Sequence, residues 1–159
     1  LLGLDGSVPA GEALGEDLFF GADQEDISQI LLHGLDHLLR AVVQVGSEER
    51  RDTLDAHLWT YREDSFLPHT TWRTADAHDQ PVVLAAADTN PNEAHIRFLV
   101  DCAALPADAD SYERVVLMFN GDDDEAVAGA RSAWKDGKAR GFTVTYWQAD
   151  ERGRWQRGE

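Results

Sequence analysis

The chain has 159 residues, 43% of them hydrophobic and 28% charged, with a net charge of −16. That size and apolar content suit one domain with a single core that needs no staples. A charge so negative repels phosphate and argues against direct DNA binding by the surface at large. The one cysteine, Cys102, excludes an internal disulfide and fits a reducing cytoplasm. The longest apolar runs, such as Val115 to Phe119, are far too short to span a bilayer.

Residues 1–16 are rich in glycine and lack the basic start of a secretory signal, so a flexible tail is expected there, ahead of one domain over 17–159. Leu18-Phe19-Phe20 predicts a short buried strand that leaves through Gly21. From Ile27 to Leu39, apolar residues at 27, 30, 31, 35, 38 and 39 keep the helical period, with Asp26 placed to cap the start. Ala41 to Val45 is a compact β-branched run and reads as a core strand. Ser47 caps the next helix, whose first turn carries Glu48 and Glu49 as the dipole prefers. Leu54 and Leu58 face inward at i and i+4, and the helix ends near Trp59. Ser65 and Pro68 prevent its continuation, because proline disfavours helical geometry at Leu67.

Residues 70–80 are polar and read as a loop. Val82 to Ala87 predicts a strand, followed by the turn Thr89-Asn90-Pro91-Asn92. Ile96 to Val100 and Val115 to Phe119 predict two further strands, on either side of a loop around Pro106. A helix over about 125–140 leads to a last strand, Thr143 to Trp147, which Glu151-Arg152-Gly153 can turn back as a hairpin toward Trp155. Strands alternating with helices predict a single Rossmann-like α/β domain, with a mostly parallel sheet and helices on both faces.

Candidate chemistry is sparse. His33 and His37 lie at i and i+4, a metal-holding spacing, but Gly34 stands where a zinc protease needs glutamate. The run Asp122-Asp123-Asp124-Glu125, between a strand and a helix, suits either a magnesium site or dipole stabilisation, and the second is the simpler reading. Neither G-x-x-x-x-G-K-[ST], nor G-x-G-x-x-G, nor a G-x-S-x-G elbow occurs. Cys102 has no flanking signature of a nucleophile and reads as a small core residue. No catalytic constellation, resident metal or cofactor is expected. The rival classes are a nucleotide- or metal-dependent hydrolase using the acidic run, and a purely structural interaction domain.

The last long helix carries two informative stripes. Ala126, Ala130, Ala133 and Gly137 let it lie close against a sheet. Beside them run Val127, Arg131, Trp134 and Lys138, with Lys135 and Arg140 near enough to add charge. An aromatic between cations beside an apolar residue suits a peptide with acids and a bulky C-terminal side chain. The competing reading is a core Trp134 with snorkelling cations. Trp59 and Phe66 carry a similar choice, between plugging the core and being displayed to partners at a helix exit and its loop.

The pattern Leu54-Asp-x-x-Leu-Trp59, followed by Ser65-Phe-Leu-Pro-His69, resembles the chi subunit of the bacterial DNA polymerase III holoenzyme, a clamp-loader accessory protein. The likeness continues through a Pro81-Val82 strand, an Asn90-Pro91 turn, a Tyr112-Glu-Arg-Val-Val116 strand and a helix closing on Gly141-Phe142, roughly residues 40–150. The resemblance implies a cytoplasmic, non-catalytic subunit that links the clamp loader to the acidic C-terminal tail of single-stranded-DNA-binding protein. It places tail binding on Val127, Arg131, Trp134, Lys135 and Lys138, although some members have a basic residue where Val127 stands. It also implies a surface for the psi subunit, another clamp-loader component or a repair helicase at Trp59, Phe66, Pro68 and His69. Arg152, Arg154 and Arg157 remain either a solvated edge or a second contact.

Overall fold

The computed structural model describes residues 17–20, 40–60, 67–149 and 155–157. The elements in chain order are β1 (Asp17–Phe20), β2 (Ala41–Gln44), α1 (Glu48–Thr60), β3 (His69–Thr71), β4 (Val82–Ala85), β5 (Ile96–Leu99), β6 (Arg114–Leu117), α2 (Asp124–Ala139), β7 (Thr143–Ala149) and β8 (Trp155–Arg157). The strands form one sheet in the order β3-β4-β2-β5-β6-β1-β7-β8. All neighbours pair in parallel except β8, which returns antiparallel along β7 with Gln148 opposite Gln156. The expected tail over 1–16, the expected helix over 27–39 with His33 and His37, and Phe66, Arg152 and Arg154 lie outside the described residues.

The central strands are covered on both sides. Val42 and Val43 point to opposite faces, and both are fully buried. One face packs Val43, Phe98, Val116 and Met118 beneath Leu58 of α1, with half-buried Leu54 at its edge. The other packs Val42, Leu99, Val115 and Leu117 beneath Ala130 of α2. Helices on opposite faces of a parallel sheet make this a Rossmann-like α/β domain.

Residues 70–80 depart from the expected loop. They contain most of β3, an edge strand, and a 3-10 turn at Ala77–Asp79. The sequence His69-Thr70-Thr71 has no apolar run. Its place is fixed by the ladder to β4, which Trp72 extends by donating its N–H to Leu84 O at 2.9 Å. Cys102 also departs: it is exposed and not a core residue. The chain turns sharply after β5, with Asp101 at φ +53 and Cys102 at φ +59, which carries the side chain out of the sheet.

Among the described residues, one charge lies in the core. Arg97 on β5 is fully buried, with Val42 and Val115 as its register partners on the adjacent strands. Its guanidinium donates to Asp88 Oδ1 at 2.6 Å, to Tyr112 Oη at 2.7 Å and to Gln44 Oε1. Burial pushes the Tyr112 phenol above its ordinary range, partly offset by the Arg97 hydrogen bond and charge.

Local signals set the ends of α2. Asp123 accepts hydrogen bonds from Glu125 N at 2.9 Å and Ala126 N at 3.3 Å, so this member of the acidic run is an N-cap. At the other end Gly141 adopts φ +92, and its N–H and that of Phe142 return to Lys138 O and Gly137 O.

Candidate docking surfaces on the two helices

The small stripe of α2 does what its composition implies. Ala126, Ala130 and Gly137 are buried, which brings the helix backbone close to the sheet. The neighbouring stripe emerges along one flank. Val127 and Trp134 are half-buried, while Arg131, Lys135 and Lys138 are exposed. Trp134 packs against the core, as do the half-buried Phe142, Val144 and Tyr146. Lys138 Nζ stands 4.8 Å from the centre of the Trp134 ring, within cation–π range. Among the described residues, no ion pair engages Arg131, Lys135 or Lys138.

Arg140 behaves differently from those cations. It donates to Pro106 O and Ala107 O at 2.9 Å each, and its guanidinium lies 5.1 Å from the Phe142 ring centre. Asp136 Oδ2 stands 3.9 Å away. Its role is to clamp the loop before β6 to the end of α2, so it is already committed within the fold.

The opposite flank of α2 borders a cleft of about 470 Å³ lined by Gly129, Ala133, Cys102, Leu105 and Phe119 among others. Partial desolvation at the cleft wall first, then the nearby Asp123, Glu125 and Asp101 carboxylates, hold the Cys102 thiol above its ordinary range. That disfavours the thiolate a nucleophile requires. Among the described residues, no three His, Cys, Asp or Glu side chains converge in a way that would hold a metal.

The second surface lies at the end of α1. Trp59 is 56% exposed and is therefore displayed, not a core plug. Its ring centre sits 4.6 Å from that of His69, the planes tilted by 46°. His69 is buried and Pro68 half-buried, so of the three described residues only Trp59 offers a large outer face. The His69 ring is buried and held by one hydrogen bond. Nδ1 lies 2.7 Å from Leu67 O, and a carbonyl only accepts, so Nδ1 carries the hydrogen. Nε2 lies 3.5 Å from Asp55 Oδ1 but outside hydrogen-bond geometry.

Sequence reasoning missed the Arg97 network and the Arg140 clamp. It also missed the Arg50–Asp101 pair, two hydrogen bonds of 2.9 and 3.1 Å that tie α1 to the turn after β5. One signal was available: an arginine inside the otherwise apolar run Ile96 to Val100, which a strand buried on both faces must pair internally.

Taken together, a parallel sheet covered on both faces and two solvent-facing helix flanks define a Rossmann-like α/β domain. The DNA polymerase III chi subunit family, HolC, matches across residues 21–145, and the chain belongs to that family. Membership gives it an accessory role in DNA replication, within the polymerase III holoenzyme. No individually curated protein matches it. Among the described residues, no helix is long and apolar enough to cross a membrane.

Proposed function

We propose that this subunit links the clamp loader to single-stranded-DNA-binding protein by holding that protein's acidic C-terminal tail on the outer flank of α2. The observation that carries the reading is the cationic, aromatic flank itself. Arg131 and Lys135 are exposed, and Lys138 stands over the Trp134 ring, on a molecule whose net charge is −16. The cations pair with the acids of the tail, and Trp134 and Val127 pack against its terminal aromatic. The work is recognition, with no catalytic residue of its own. A short tail that orders on binding loses entropy, so affinity on the order of micromolar is expected.

The face around Trp59 then serves the clamp-loader side, through the psi subunit, another clamp-loader component or a repair helicase. In support, the indole is the exposed large hydrophobic among the described residues. Charge reversal tests the α2 assignment. Arg131→Glu abolishes tail-peptide binding while circular dichroism shows an intact fold, and parent-like binding by the variant contradicts the assignment. A hydrolase would instead show saturable heats with magnesium and nucleotide in calorimetry.

A further inference from the structure

The geometry points to His69 as the positioning residue for Trp59, the buried seat that fixes the direction in which the indole faces a partner. The inference rests on the reading of the Trp59 face above and adds how that face is built. An exposed tryptophan on the last turn of a helix ordinarily samples several rotamers, and a partner that immobilises it loses affinity accordingly. Here the ring lies against a second ring at 4.6 Å, in the tilted arrangement aromatic pairs favour.

The second ring is itself immobile. The His69 side chain has no solvent exposure, since it opens the edge strand β3 directly beneath the end of α1. Its Nδ1–H is given to Leu67 O at 2.7 Å, a bond that spans Pro68 and so also shapes the entry to β3. Its other nitrogen faces Asp55, four residues before Trp59 on the same side of α1. The Leu67 bond and complete burial therefore hold the imidazole, and the indole rests on it. A residue buried this deeply contributes to recognition through Trp59, not by touching a partner.

Two substitutions separate the functions of the ring. His69→Phe keeps an aromatic seat without the hydrogen bond, and His69→Asn keeps a donor near Leu67 O without the seat. The full chain is labelled with 5-fluorotryptophan, and Trp59→Phe identifies the Trp59 fluorine signal. Each variant is titrated with the psi subunit at a temperature where circular dichroism shows it folded. His69→Asn moves the Trp59 signal toward that of a solvated indole and weakens binding about two- to tenfold, the range expected for one newly mobile side chain. His69→Phe retains both the signal position and the affinity. An unchanged signal and affinity in His69→Asn overturns the inference, as does a His69→Phe variant impaired equally. Equal psi affinity of the parent and Trp59→Ala overturns the reading of the face itself, and the fluorine signal reports the seat independently of that result.

Discussion

Removing the exposed half of the buried ion pair should harm this protein more than removing both halves. Arg97 is fully buried, whereas the side chain of its partner Asp88 is 57% exposed. Asp88→Ala strands a guanidinium in the core with two neutral acceptors, Gln44 and Tyr112. Breaking a buried pair typically costs 3–5 kcal/mol, and the partial exposure of Asp88 lowers this to about 2–3 kcal/mol. In Asp88→Ala plus Arg97→Met the stranded charge is gone, and thioether packing replaces the alkyl stem. What remains is a buried Tyr112 hydroxyl that can still donate and a half-buried Gln44 oxygen, each without its former donor, a loss of about 1–2 kcal/mol. The double variant should therefore be more stable than the single one by about 1 kcal/mol, or about 2–4 °C in Tm for a chain of this size. Urea denaturation of parent, both single variants and the double variant measures the coupling directly. Additive losses would refute the claim that the guanidinium depends on Asp88.

The same network has a pH signature. The Tyr112 phenol is raised above its ordinary value by burial, so the stability present below about pH 10 is lost as pH rises through the unfolded and then the folded range. Arg97→Met, by removing the group that pulls the phenol down, should move its absorbance titration further upward; a downward move would contradict the geometry. Trp59→Ala removes a side chain less than half covered, so the loss should be about 1–2 kcal/mol, against the 3–5 kcal/mol typical of a core tryptophan. Thermal unfolding decides, and a loss above about 4 kcal/mol would place Trp59 in the core.

Much of this fold could be read from the chain because its signals are local. The β-branched runs of β2, β4 and β6 are buried on both faces, and such strands announce themselves without any partner being known. The stripe Ala126, Ala130, Ala133, Gly137 predicted the buried face of α2 for the same reason, and all but the half-buried Ala133 are buried. What escaped was set by distant partners. His69-Thr70-Thr71 is a strand because β4 offers it a free edge, and nothing in three polar-leaning residues says so. Cys102 was misplaced because the left-handed turn at Asp101 and Cys102 has no glycine to mark it. Arg140 looked like part of the cationic flank, yet two carbonyls more than thirty residues away hold it. On the docking faces, the spacing of Arg131, Trp134 and Lys138 was legible, while the burial of His69 beneath Trp59 was not.

The most direct measurement is a calorimetric titration of the full chain with the acidic C-terminal tail peptide of single-stranded-DNA-binding protein, at about 0.1 M and about 1 M ionic strength. Over that interval the screening length falls from about 10 Å to about 3 Å. One-to-one binding on the order of micromolar at the lower salt, markedly weaker at the higher and lost when the terminal residue is removed, is the result expected. Binding that ignores salt and the terminal residue, or no binding at the lower salt, would contradict a cationic dock on α2.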